Sequence, residues 1–326
     1  MKILITGAAG MIGRKLAARF AGDAALSGTP IDHLVLVDVT PPEAPAGLAG
    51  RVETKATDIS NKRDVTGLVA GRPDVIFHLA AIVSGEAELD FDKGYRINLD
   101  GTGYLLEAIR AERDYRPKLV FASSIAVFGA PFPEAIPDDF FHTPLTSYGT
   151  QKAIAELLIA DYARRGFLHG IAIRLPTIVV RPGKPNRAAS GFFSSIIREP
   201  LAGEEAILPV EESVRHWHAS PRAAVGFLLH AASLAGPQLG ARIGLTMPGV
   251  CCTVGEEIAA LRRIAGDRVA ARIRREPDPM IMRIVEGWPR RFDARRAIAL
   301  GFRAEDSFDE IIRAHIDDEL GGRVAA

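Results

Sequence analysis

The chain has 326 residues, 40 basic and 40 acidic side chains balancing to zero formal charge, 48% hydrophobic residues and 25% charged ones. That length can bury a large core, and the neutral, ordinary composition argues against nucleic-acid or membrane binding. The only two cysteines, adjacent Cys251 and Cys252, exclude a disulfide scaffold and support neither a zinc site nor a Cys/His nucleophile, so no metal is expected.

The chain opens on Met1-Lys2-Ile3-Leu4-Ile5, an apolar run too short for a signal peptide or a membrane span, and a cytoplasmic protein is expected. Short apolar runs at 2–6, 33–38, 75–80, 118–122 and 170–174 alternate with helical patterns at 11–20, 97–111 and 148–164. This repetition predicts an α/β fold, a doubly wound parallel sheet with helices on both faces. Beyond Pro176 the pattern loosens. Residues 181–203, rich in Gly, Pro, Ser and basic side chains, are predicted to be irregular and to face the substrate. Helices follow at 220–235, 256–265 and from Asp306, with a strand at 242–247 that could rejoin the sheet. The expected domains are a nucleotide-binding one over 1–176, with 215–247 returning to it, and a smaller interleaved substrate domain over 177–214 and 248–326.

Thr6-Gly7-Ala8-Ala9-Gly10-Met11-Ile12-Gly13 lies between the first strand and the first helix. Glycines there permit a tight turn, close backbone approach to a pyrophosphate and close helix–strand packing, while the helix N-terminus offers free N–H groups. Asp38 ends the second strand, where a carboxylate can bind a ribose diol and repel a 2′-phosphate, which predicts NAD over NADP. Asp58-Ile59 is expected at the adenine edge. The small residues after Leu79, Ala80 and Ala81, would let the cofactor lie against the backbone; His78 itself reads as a core histidine. Asn98 either caps a helix or orients the active-site strand. In a helix, Tyr148 and Lys152 share one face, and the ammonium would favour the phenolate. With a hydroxyl from Ala122-Ser123-Ser124, those parts suit proton transfer coupled to hydride transfer.

Taken in order, these motifs resemble the extended short-chain dehydrogenase/reductase family, also described as NAD-dependent epimerases and dehydratases. The resemblance rests on the glycine loop, Asp38, Asp58, His78-Leu79-Ala80-Ala81, Asn98, Ser123-Ser124-Ile125-Ala126-Val127-Phe128-Gly129, Tyr148-x-x-x-Lys152 and the terminal Asp293-to-Phe302 element. It implies that Ser124 rather than Ser123 is catalytic, with Tyr148 as acid/base and Lys152 binding the cofactor ribose and lowering the tyrosine pKa. It also implies NAD contacts at Gly7, Gly10, Met11, Ile12, Gly13, Asp38, Asp58, Ile59, Leu79, Ala80, Ala81, Asn98, Ala122, Tyr148, Lys152, Pro176 and Thr177.

Departures from the family pattern bear on the substrate. Nucleotide-sugar epimerases read Arg-Tyr-Phe-Asn where this chain has Arg174-Leu175-Pro176-Thr177, so the asparagine that contacts substrate pyrophosphate is missing. The family's His-Val-Asp-Asp element is His218-Ala219-Ser220-Pro221-Arg222 here, and Phe128 replaces a tyrosine. Arg181, Lys184, Arg187, Arg215, His216, His218 and Arg222 are expected to gather in a cationic pocket. A small anionic hydroxy acid is expected on Ser84, Ser124, Tyr148, Arg181, Asn186, Ser190, His218 and Arg222. The strings 81–88, 143–148, 174–178 and 181–186, with Ser190-Gly191-Phe192-Phe193, are similar to the family branch that oxidises D-erythronate at C2 to 2-oxo-tetronate. A nucleotide-sugar epimerase with tightly held NAD, a dehydrogenase of another small acid such as L-threonine, and a non-catalytic NAD sensor stay open beside it. In relatives, helices matching 99–111 and 148–164 form a four-helix bundle across a dimer axis. A homodimer is therefore expected, although the same helices could simply cover the sheet.

Overall fold

Seven strands form one sheet in a computed structural model that describes residues 1–183 and 190–324. The strands are β1 (Lys2–Thr6), β2 (His33–Asp38), β3 (Arg51–Ala56), β4 (Val75–His78), β5 (Lys118–Ser124), β6 (His169–Leu175) and β7 (Gly244–Thr246). Their order across the sheet is β7-β6-β5-β4-β1-β2-β3, and the registers of β3 on β2, β2 on β1, β1 on β4 and β4 on β5 are all parallel. Ile3, Leu4 and Ile5 are all buried, as expected of a strand covered on both faces. The strand order reverses between β1 and β4. Such a switch point opens a crevice at the carboxyl ends of the strands, where Thr6, Asp38, His78 and Ser124 lie.

The chain divides into two units. The first comprises Met1–Val127, Pro144–Arg174 and Val225–Leu245. Its helices include α1 (Met11–Asp23), α2 (Lys62–Ala70), α3 (Gly101–Ala111) and α4 (Ser147–Arg164). Thr146 caps α4 by accepting the Gly149 N–H at 3.0 Å. The helix expected over 97–111 is two elements, because a π-helical turn, Tyr95–Asp100, precedes α3. Leu105, Leu106 and Ile109 of α3 pack with Val65 and Leu68 of α2 and with Leu119 and Phe121 of β5.

The second unit comprises Phe128–Thr143, Leu175–Ala224 and Thr246–Ala326. Further helices of the chain are α5 (Gly191–Leu201), α6 (Pro221–Ser233), α7 (Val254–Ala265) and α8 (Phe308–Glu319). The segment predicted to be irregular therefore contains a helix. Its composition hid an i, i+1, i+4, i+5 apolar face, Phe192, Phe193, Ile196 and Ile197, all of it in the core. Residues 128–143 and 215–224 belong to this unit instead of the nucleotide-binding one. Phe128 packs on Phe140 and Phe292, and strand Arg215–Ala219 pairs with Thr177–Ile178 and antiparallel with Val250–Thr253. No helix among the described residues is long and apolar enough to cross a membrane.

Candidate active site

The first βα turn is built around two positions that exclude a side chain. Gly7 has φ +76°, and a Cβ on it would lie 2.6 Å from the Ala80 nitrogen. A Cβ on Gly13 would lie 2.3 Å from the Gly7 carbonyl oxygen. Gly10 starts α1 with no side-chain cap, and the first turn holds no acidic residue, so Met11, Ile12 and Gly13 present backbone N–H groups that favour an anion. Asp38 is oriented from both sides: its carboxylate accepts the Ala9 N–H at 3.0 Å and the Val39 N–H at 2.8 Å. A glycine cradle and a fixed carboxylate at the end of β2 fit a dinucleotide with a free ribose diol. Asp58 is exposed and accepts from the backbone and hydroxyl of Ser60, while Ile59 is buried against Gly101.

His78 lies in the core as expected. Its Nδ1 is 2.8 Å from Thr6 Oγ1 and its Nε2 3.0 Å from Thr102 Oγ1. Thr102 donates its own proton to the Asn98 carbonyl, so Nε2–H donates to Thr102 and Nδ1 accepts from Thr6. Burial pushes the imidazole pKa down to about 3, which keeps this neutral arrangement. Leu79, Ala80 and Ala81 follow as a half-buried loop, and Ser84 begins the short helix Ser84–Leu89. Asn98 is buried in the π turn. It accepts the Ile82 N–H at 2.9 Å, donates to the Ile82 carbonyl at 3.2 Å and donates to Gln151 Oε1 at 2.7 Å. It thus ties the loop after β4 to α4 beside Lys152. The sequence reading left the role of Asn98 open and missed Gln151, which has no signal in sequence beyond its place next to the lysine.

Lys152 is buried. Its Nζ donates to the Ala122 carbonyl at 2.9 Å and sits 4.6 Å from the Phe121 ring centroid and 5.7 Å from that of Tyr148. Burial lowers its pKa to about 8, opposed by the negative charge of Glu156. Tyr148 is half-buried, one helical turn before it. The two serines at the end of β5 point to opposite sides, as successive strand residues do. Ser123 is buried and bonded to Glu156, whose carboxylate also takes the Arg174 guanidinium at 2.9 to 3.1 Å. Ser124 is half-buried, and its Oγ accepts the Ala126 N–H at 3.1 Å. The sequence reading missed Glu156, although the i, i+4, i+8 spacing with Tyr148 and Lys152 could have found it; no such spacing points to its partner Arg174.

In the second unit, Pro176 is buried and Thr177 Oγ1 donates to His216 Nε2 at 2.6 Å. His216 in turn donates from Nδ1 to the Pro289 carbonyl at 2.9 Å, and its ring stacks on Phe193. Among the described residues, the expected gathering of cations does not occur. His216 and His218 are core residues, with His218 wholly inaccessible, so neither can touch a substrate. Arg222 is paired with Asp318 at 2.7 Å, and Arg215 lies 3.7 Å from Glu256. Hydrophobic packing of the rings and nearby carboxylates overrode the sequence reading. Arg181 and Ser190 do approach each other, Nη2 to Oγ at 3.5 Å, with Arg181 Nε also donating to the Ile178 carbonyl. Lys184, Asn186 and Arg187 lie outside the described residues.

The NAD dependent epimerase/dehydratase family matches residues 3–232. The chain belongs to this family. NAD is the family's cofactor, and the glycine cradle and Asp38 of this member fit it. D-erythronate dehydrogenase from Cupriavidus necator is 47% identical over 323 residues, 98% of either chain. The enzyme of the same name from Haemophilus influenzae is 42% identical over 320 residues, 98% of this chain and 100% of that one. With relatives of this coverage, the family member described here is an NAD-dependent dehydrogenase. A solved structure described as the nucleoside-diphosphate-sugar epimerase from Agrobacterium tumefaciens superposes with a TM-score of 0.98 at 63% identity, covering 100% of this chain and 96% of that one. L-threonine dehydrogenase from Clostridium difficile shares the fold, with a TM-score of 0.85 at 22% identity over 99% of both chains.

Proposed function

We propose that this sugar-acid dehydrogenase oxidises the C2 hydroxyl of D-erythronate to give 2-oxo-tetronate. The observation that carries this reading is the near full-length similarity to two D-erythronate dehydrogenases. The Ser124, Tyr148 and Lys152 arrangement supplies a chemistry for it. When bound, NAD supplies the acceptor for the hydride leaving C2. Ser124, on the less buried side of the β5 end, hydrogen-bonds the substrate hydroxyl. Tyr148 as phenolate takes the hydroxyl proton, so the C–H and O–H bonds of the carbinol become one C=O bond. Lys152 is held by the Ala122 carbonyl with its charge near the Tyr148 ring, which favours the phenolate. Ser123 is occupied by Glu156 and cannot take the role of Ser124. Ser84 supplies a polar contact for the substrate carboxylate. A homodimer through α3 and α4 belongs to the same reading, supported by Leu157, which is 61% exposed on α4.

The Agrobacterium tumefaciens structure favours a second reading, epimerisation of a nucleotide sugar with the hydride returned to the same substrate. One experiment separates them. Purified protein with NAD is offered D-erythronate, other four-carbon acids, L-threonine and nucleotide sugars, and NADH is followed by its near-ultraviolet absorbance. NADH should accumulate with D-erythronate above the other substrates. Turnover of a nucleotide sugar without NADH would replace this reading with the second. Tyr148→Phe should lower turnover by about 10²- to 10⁴-fold while leaving NAD binding near that of the parent.

A further inference from the structure

His218, Cys252 and Glu257 lie in the second unit and have no part in the chemistry above. His218 is on strand Arg215–Ala219, and Cys252 is on the antiparallel neighbour Val250–Thr253, where it opposes His216. Opposed residues and alternate residues share a face of the sheet, so His218 and Cys252 point to the same side. Glu257 follows on α7. Its direction is set by a capping box, in which Thr253 Oγ1 accepts the Glu256 N–H at 3.1 Å and Glu256 Oε2 accepts the Thr253 N–H at 2.6 Å. The three side chains are buried, and one ligand atom from each lies within 4.8 Å of the others.

The surroundings are apolar. The Phe193 and Phe308 rings make T-shaped contacts with the His218 ring at centroid distances of 4.7 and 5.7 Å, and Val254 and Ile258 belong to the same cluster as Phe193 and Phe308. His218 Nε2 is 2.9 Å from Glu257 Oε1, and Cys252 Sγ is 4.0 Å from the same oxygen. The close His218–Glu257 contact is not aligned as a hydrogen bond: both nitrogens of His218 and Oε2 of Glu257 are buried without a partner. Buried polar groups are normally satisfied, so these orphaned atoms call for an explanation.

We propose that His218, Cys252 and Glu257 form an enclosed site for a divalent ion of the zinc class, which pins α7 to the two strands. Imidazole, thiolate and carboxylate are the ligand types zinc takes, whereas calcium and magnesium take oxygen ligands. Bonds of about 2.0–2.3 Å place tetrahedral ligands roughly 3.3–3.8 Å apart, inside the spread seen here. Two anionic ligands cancel the charge of the dication, so the loaded site is neutral in its apolar setting. On binding, the metal–sulfur and metal–oxygen bonds replace the thiol and carboxyl protons, which pass to solvent, and Nε2 donates its lone pair. The three protein ligands are buried, so the ion enters as the chain folds and keeps one non-protein ligand in its fourth position.

The test reads metal content, so its outcome is independent of the substrate. Full-length protein is produced in zinc-supplemented medium, freed of any tag, desalted and analysed by mass spectrometry of the elements. About one zinc per chain is expected. Cobalt-loaded protein should show a thiolate-to-cobalt charge-transfer band. Cys252→Ser and Glu257→Gln should lose most of the metal, and Cys252→Ser the band. Cys251→Ser, outside the triad, should keep both. Zinc-free parent protein, or Cys252→Ser carrying as much metal as the parent, overturns the proposal. If the triad variants do not fold, the parent and Cys251→Ser measurements still decide it.

Discussion

Lys152 shows how the proposed catalytic role sets a cost within a single residue. Its ammonium is buried beside Phe121, and the lost hydration lowers its pKa from 10.5 to about 8. In the unfolded chain the same group holds its proton up to its ordinary value. Between about pH 8 and 10.5 the unfolded state therefore binds more protons, and the contribution of Lys152 to stability rises with pH across that window. Below pH 8 the burial cost is present in full. Lys152→Met removes that cost and the bond to the Ala122 carbonyl, for a net gain of about 2 kcal/mol at neutral pH. Urea unfolding of the cofactor-free protein should show this gain shrinking from pH 8 toward 10, with turnover lost throughout. A stability difference that does not change with pH would contradict the assignment.

Among the elements, α4 has the most to hold in place. Its Tyr148, Lys152 and Glu156 form one stripe, and its capping residue and the Gln151–Asn98 bond fix its start. Glu156 reaches Ser123 on β5 and Arg174 on β6, with side-chain exposures of 4% and 7% in the ion pair, so solvent screens it little. Removing one partner leaves a buried charge uncompensated. Arg174→Met should cost about 3–5 kcal/mol of stability, and pairing it with Glu156→Met should recover most of that loss. Denaturant titrations of the two single variants and the double variant measure it; a double variant no better than Arg174→Met would show that the pair is more than mutual compensation. Tyr148 and Lys152 were legible from the i, i+4 spacing, but Glu156 was missed and its buried counter-ion came from a strand whose sequence gives no such cue.

For the molecule as a whole, the proposed homodimer puts Leu157 to use. It is exposed on α4 while Ala155 and Ile159 on the same helix are buried in the first unit. Leu157→Arg should leave folding and NAD binding intact, since the side chain has no core role to lose. Light scattering should give twice the chain mass of 35.0 kDa for the parent and a shift toward one chain for the variant. A parent already at one chain mass would remove the dimer from the reading.

The sequence by itself determined the nucleotide-binding half, because its signals are local. Alternating apolar runs and helical stretches set the parallel sheet, glycines 7 and 13 sit where the backbone leaves no room for a Cβ, and Tyr148 and Lys152 are related by helix geometry alone. What only the tertiary structure decided depends on contacts between distant segments. The 181–203 composition suggested a loop until α5 turned its apolar face inward. Histidines 216 and 218 looked like cations for a substrate until burial among Phe193, Trp288 and Phe308 made them neutral core groups. Cys252 and Glu257 carried no metal signature in the chain, because His218, 34 positions before the cysteine, reaches them only through strand pairing. Local spacing can specify a turn, a cap or a helix face, but which polar groups lose their water is settled only when the chain has closed over them.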